Sequence, residues 1–213
     1  MSNNLLSIWH ASCEAGYSTP ILPDGCRDLI FKVVAKEKPE WFVSPLFNQS
    51  ESVYIEGNST LVGFRLRPGV EIKENELISH IESNHICVDE VQGILDDFIS
   101  LDGSIEEALG CLASEVKSIK QASVRLGVSV RTLQRLVFNK TRRTPGYWLQ
   151  LARVRKAARC LHPTISLAYV AEIYGFSDQS HMNREFQRWF KLTPIELLKT
   201  PALIEQLNDK AYC

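Results

Sequence analysis

Two spacings of apolar residues divide the chain. Over the first part the spacing is that of strands. "RDLIFKVV" at 27–34 and "TLVGFRLRP" at 60–68 are rich in β-branched and aromatic residues, and Val62, Phe64 and Leu66 alternate with small or polar neighbours. "PDG" at 23–25 and "EGN" at 56–58 carry turn chemistry, and Pro68-Gly69 closes the later strand. From Glu74 the spacing becomes helical, through "NELISHIE", "VDEVQGILDDFIS" and "SIEEALGCLASEV". Asp102-Gly103-Ser104 is the predicted break, with Ser104 capping the next helix and Glu107 three residues on. The expected fold class is α+β. A β-rich unit with trailing helices fills 1–100, an all-α unit fills 104–200, and 201–213 forms a C-terminal tail.

The helical part repeats itself at an offset of 48 residues. "SIKQASVRLGVSVRTLQRLVF" begins at Ser118 and "SLAYVAEIYGFSDQSHMNREF" at Ser166. Each has a short helix, a glycine (Gly127 or Gly175), an apolar residue (Val128 or Phe176), a serine and a second helix. The glycines sit where the chain turns sharply and φ is expected to be positive. Ser123 and Ala171, four residues before them, are small enough for the paired helices to approach closely. This is the plan of two helix-turn-helix units. Between them, "PGYWLQLARVRKAARCL" at 145–161 reads as a connecting helix capped by Thr144, with Pro145 in its first turn. Such a helix, roughly 25 Å long, could hold two recognition helices about one DNA turn apart.

At 100° per residue, the second recognition helix places Met182, Phe186, Trp189 and Phe190 on one side, with Asp178 as its N-cap. Ser180, His181, Arg184, Gln187, Arg188 and Lys191 share the other. In the first, Leu133, Leu136 and Val137 face the core, opposite Arg131, Thr132, Arg135 and Asn139, with Gln134 flanking. A solvated face would satisfy one such helix. Two at matching positions, both rich in Arg, Gln and Asn, fit a base-reading surface better, because these side chains engage guanine or adenine edges through paired hydrogen bonds. The expected base readers are Arg131, Gln134, Arg135, Gln179, Ser180, His181 and Arg184. Thr132, Asn139, Gln187, Arg188 and Lys191 are expected at phosphates.

Charge sharpens this picture. The net charge of −1 conceals 7 Lys and Arg against 16 Asp and Glu in 1–103, and 17 against 9 in 104–213. Within 117–191 the count is 15 against 3, as expected for a surface that meets a polyanion. The six cysteines are scattered without a CxxC pair, which predicts reduced thiols in a cytoplasmic protein and no zinc site. No signal peptide or membrane-spanning run is predicted. The five histidines lack metal-ligand spacing, so no metal, cofactor or catalytic residue is expected. The alternative is a DNA-modifying or repair-linked regulator using a reactive cysteine, with Cys26 the candidate. A buried turn or strand thiol is the simpler reading. Arg65 and Arg67, alternating with Phe64 and Leu66, could be a solvent-facing strand edge, a site for an acidic ligand, or partners of the acidic helices that follow.

"AYVAEIYGFSDQSHMNREFQRWFKLTPIELL" resembles the C-terminal signature of AraC/XylS-type transcription regulators. The matching residues are Ala171, Gly175, Phe176, Asp178, Ser180, Arg184, Phe186, Phe190 and Thr193-Pro194. "GVSVRTLQRLV" and "TPGYWLQLARVRKAARCL" resemble the family's first motif and connecting helix. The resemblance covers about 104–198. It implies a seven-helix domain whose two units enter successive major-groove segments of double-stranded DNA. Val137 stands where the family usually has Phe, Arg142 where it has Gly, and Ser123 where it has Ala, so the end of the first recognition helix is expected to differ. "LPDGCRDLIF" and "GFRLRPG" are similar to a short sensor-like domain that precedes this domain in some members. The expected function is sequence-specific transcription regulation, with an N-terminal domain for effector binding or dimerisation. RNA polymerase and a small-molecule effector are partners this reading admits, for a monomer or a homodimer.

Overall fold

A computed structural model describes residues 4–213. The N-terminal half is built on strands β1 Leu5–Cys13, β2 Tyr17–Ile21, β3 Asp28–Val34, β4 Glu40–Val43, β5 Glu51–Ile55 and β6 Ser59–Leu66. Four of them form an antiparallel sheet in the order β1-β6-β3-β4, while β2 pairs with β5. The two segments with the clearest strand pattern, β3 and β6, are the central strands and pair with each other. β6 departs from the expected alternation. Leu61, Val62, Gly63 and Phe64 are all buried, because a central strand covered on both faces loses its polar side. Gly63 lies under the ring of Trp9, which occupies the space a Cβ would need.

After the short strand β7 Glu71–Ile72 come α1 Glu74–Ser83, α2 Val91–Phe98 and β8 Ile99–Ser100, the last paired with β7. Leu77 and Ile81 of α1, with Val91 and Leu95 of α2, close one core against Leu29, Trp41, Phe64 and Leu66 of the sheet. The next helix, α3 Gly103–Ala113, is capped by Asp102, whose carboxylate accepts from Ser104 N. The cap therefore stands two residues before the expected Ser104.

Seven helices then span 103–198. They are α3, α4 Ile119–Arg125, α5 Val130–Thr141, α6 Pro145–Arg159, α7 Leu167–Ile173, α8 Gln179–Phe190 and α9 Pro194–Leu198. Their core includes Leu112, Leu133, Val137, Trp148, Leu151, Val170, Met182 and Phe186. Thr144 caps α6 by accepting from Tyr147 N, with Pro145 opening the helix as expected. Helix α6 is 15 residues long, about 22 Å, and slightly shorter than the pattern suggested.

Residues 201–213, expected as a tail, pack into this core. α10 Pro201–Asn208 buries Leu203 and Leu207. Tyr212 packs edge-on against Trp148 at 4.8 Å between ring centroids, donates its hydroxyl to Leu109 O and its N–H to Asp24 O. The physical reason is the i, i+4 pair Leu203/Leu207, which gives this segment an apolar face to bury. The halves also interlock. Leu22, from the loop before β3, belongs to the helical core. Arg155 of α6 is fully buried and donates to Pro23 O and Leu207 O.

Candidate nucleic-acid interface

The two helix-turn-helix units are built alike. In the first, Ser118 caps α4, Gly127 turns the chain at φ 66°, and Ser129 caps α5. In the second, Ser166 caps α7, Gly175 turns at φ 72°, and Asp178 caps α8 through His181 N at 2.6 Å. Ser123 and Ala171 are both buried where the helices meet. The offset is 48 residues through the first helix of each unit and the glycine. It becomes 49 at the caps, because the second turn holds one more residue.

With that shift the buried and exposed sides of the two recognition helices correspond. Leu133 matches Met182 and Val137 matches Phe186, all four fully buried. Arg135 matches Arg184, both exposed on the opposite side. Arg131, Thr132, Gln134 and Asn139 are exposed on α5, and Gln179, Ser180, Gln187 and Arg188 on α8, with Lys191 exposed just past its end. Trp189 and Phe190 are buried as the pattern required, whereas Leu136 is only partly so.

Several expected site residues are arranged differently. His181 is half-buried. Its Nδ1 lies 3.2 Å from Ser177 N and 3.1 Å from Ser177 Oγ, and its ring meets Phe176 edge-on, so the side chain is turned back onto the turn. Gln179, about 100° × 3 round the helix from Met182, falls toward the core side and is exposed only because it opens the helix. Thr132 Oγ1 lies 2.8 Å from Ser129 Oγ within the cap. Arg188 lies over the Trp189 ring, with Glu185 at 3.7 Å.

Both recognition helices end on a cation in the left-handed region, Arg142 at φ 54° and Lys191 at φ 59°. Arg142 thus keeps the turn that glycine would favour. The charge count overstates the free surface, because many cations bind within the protein. Lys140 lies 3.3 Å from Glu71 and 3.5 Å from Asp102. Arg143 donates to Leu46 O, Arg153 to Lys117 O, Lys156 to Ala113 O and Arg159 to Leu207 O.

The N-terminal candidates are also engaged. Arg65 is held 3.1 Å from Asp28 and 3.4 Å from Asp24. Burial alone would favour losing its proton, but the two carboxylates outweigh that and keep the guanidinium charged. Arg67 bonds Glu106 of α3 at 2.9 Å. Arg65 is thus held between two carboxylates, whereas the Arg67–Glu106 pair lies part-exposed at the surface. Cys26 is buried, and burial, reinforced by Asp24, pushes its thiol well above the ordinary range. A thiol in that state is a poor nucleophile. Among the described residues no group of three or more His, Cys, Asp or Glu side chains is placed to hold a metal, and no helix is long and apolar enough to cross a membrane.

Residues 122–200 match the family described as a helix-turn-helix domain, and this segment is an AraC-type double helix-turn-helix domain. Among curated proteins, the transcriptional activator NphR of Rhodococcus sp. is 37% identical over 78 residues, 36% of this chain and 23% of NphR. The HTH-type transcriptional regulator VirS of Mycobacterium tuberculosis is 28% identical over 102 residues, 46% of this chain and 30% of VirS. The match thus spans under a third of either relative's length. Among solved structures, a transcriptional regulator from Chromobacterium violaceum with an AraC-type DNA-binding domain has a TM-score of 0.41 at 24% identity, covering 51% of this chain and 96% of that one.

Proposed function

We propose that this chain is a sequence-specific, DNA-binding transcription regulator that inserts α5 and α8 into successive major-groove segments of one duplex. The observation that carries this reading is the matched pair Arg135 and Arg184. Each stands exposed on a recognition helix, opposite a fully buried apolar pair at the same register. An arginine fork presented this way can take guanine O6 and N7 together. Arg131, Gln134, Ser180 and Arg184 form the base-reading group with Arg135. Thr132, Asn139, Gln187, Arg188 and Lys191 lie toward the phosphates. Gln179 and His181 contribute at the edge of the second site.

The β-rich half acts as the sensor or dimerisation module, and the helical unit from about residue 104 binds DNA. Relatives that are named as regulators support the assignment of role. The full chain is the appropriate reagent for the test, because cutting near residue 103 would remove Leu22 from the helical core. Selection from randomised duplexes should recover one site with two blocks of preference about one helical turn apart. Binding without any sequence preference would contradict a regulator that reads bases.

A further inference from the structure

We propose that Phe138 is a base-reading residue of the first unit, whose exposed ring recognises the 5-methyl group of a thymine in the major groove. The inference rests on the DNA-binding reading above and adds a chemical target to it.

Phe138 is 48% exposed although it sits in a well-formed helix beside a tightly packed core. Its position round α5 explains why. Arg131, Arg135 and Phe138 follow one another at i, i+4 and i+7, and so fall within about 60° of the helix circumference, with Arg142 in the left-handed turn just past the helix end. The first three form a single ridge, opposite the buried Leu133 and Val137. The N-terminal half leaves Arg131, Arg135 and Phe138 exposed and comes near α5 at its end, where Arg142 shares a cleft with Leu46, Arg67 and Glu71. It reaches the end of α5 through Lys140, bonded to Glu71 and Asp102, and Lys140 lies about 160° round the helix from Phe138. Phe138 belongs to neither of the two buried clusters.

An apolar ring on a helix face that also carries two arginines needs a surface that offers anions and an apolar group side by side. The major groove at an A·T pair does this, with phosphates at its walls and the thymine methyl on its floor. A purely apolar protein surface would bury these arginines unpaired, which is costly. The charge around the ring therefore selects DNA as its occupant. At the matching position, α8 carries Gln187, a hydrogen-bonding residue. The two units would thus read different chemistry at the same place: a methyl group under the first, a polar edge or phosphate under the second.

The test uses the full chain and the duplex it selects. Each thymine is replaced in turn by deoxyuridine, which removes only the methyl group. The wild type should lose about fourfold in affinity at one thymine in the half read by α5, the size expected for one buried methyl. Phe138→Ala should be indifferent to that replacement while keeping the wild-type response at every other thymine. Phe138→Gln, which copies the residue of the second unit, should behave in the same way and should melt like the wild type. If both variants keep the wild-type penalty at every thymine, the proposal is overturned. It is also overturned if the selected site has no fixed A·T pair in that half, or if the wild type tolerates every replacement. A chain that selects no sequence at all would instead remove the DNA-reading function itself, and the two failures are told apart by the selection step.

Discussion

The two helix-turn-helix units share a frame and differ in what holds them. The second ends near the N-terminal half with one main-chain bond, from Ser50 N to Trp189 O at 2.7 Å. The first is gripped more firmly. Lys140 at the end of α5 reaches Glu71 and Asp102, Arg143 donates to Leu46 O, and Tyr147 at the start of α6 donates to Phe47 O at 2.8 Å. The loop 44–50 therefore touches both units, while the charged contacts fall on one. The difference suggests a division of labour: the first unit is placed by the N-terminal half, and the second hangs from α6 and its own aromatic core.

The largest expected contrast between the units is in their cores. Phe186→Ala removes a whole ring from the second unit and should cost about 3–5 kcal/mol in urea unfolding, whereas Val137→Ala at the matching place removes two methyl groups and should cost distinctly less. Equal losses would mean that the register of 49 residues does not describe the packing. Next in size is binding. Arg135→Ala and Arg184→Ala should each weaken the selected site by about 1–3 kcal/mol in a titration at fixed salt, with melting unchanged because both side chains are exposed. A loss confined to one of them would show that only one unit reads bases.

A smaller effect concerns the left-handed ends. Arg142→Gly and Lys191→Gly should each raise stability by about 1 kcal/mol, since glycine adopts positive φ without the Cβ clash. A fall in the denaturant midpoint would indicate that the cation's own contacts outweigh that strain. The smallest effect is local. Lys140→Ala should speed hydrogen exchange over 138–142 and leave 187–191 as in the wild type. Equal changes at both ends would refute the view that the N-terminal half holds the two units unequally.

Much of this arrangement was legible in the sequence, for physical reasons. The buried and exposed sides of α5 and α8 follow from 3.6-residue spacing, and the turn glycines from positive φ. The one-residue shift between caps was only half legible: Asp178 reads as the cap of α8, but a serine stands two residues after the glycine in both units and conceals that Ser129 is the matching cap of α5. Phe138 escaped notice because an apolar residue on a polar ridge breaks the pattern used to find the ridge. The charge count could not tell Arg184 from Arg155, since burial of a guanidinium against Pro23 O is a long-range contact. For the same reason Leu22 and Tyr212 gave no sign that they tie the halves together. Strands β1, β2, β4 and β5 owe their pairing to neighbours rather than to strong patterns of their own.

Two matched recognition helices should read two separate blocks of one site. Selection from randomised duplexes with the wild type, Arg135→Ala and Arg184→Ala tests it most directly. The wild type should recover two blocks about one helical turn apart, with Arg135→Ala relaxing preference in one block and Arg184→Ala in the other. If both variants relax the same base pair, or if both recover the wild-type site with wild-type affinity, the claim is contradicted.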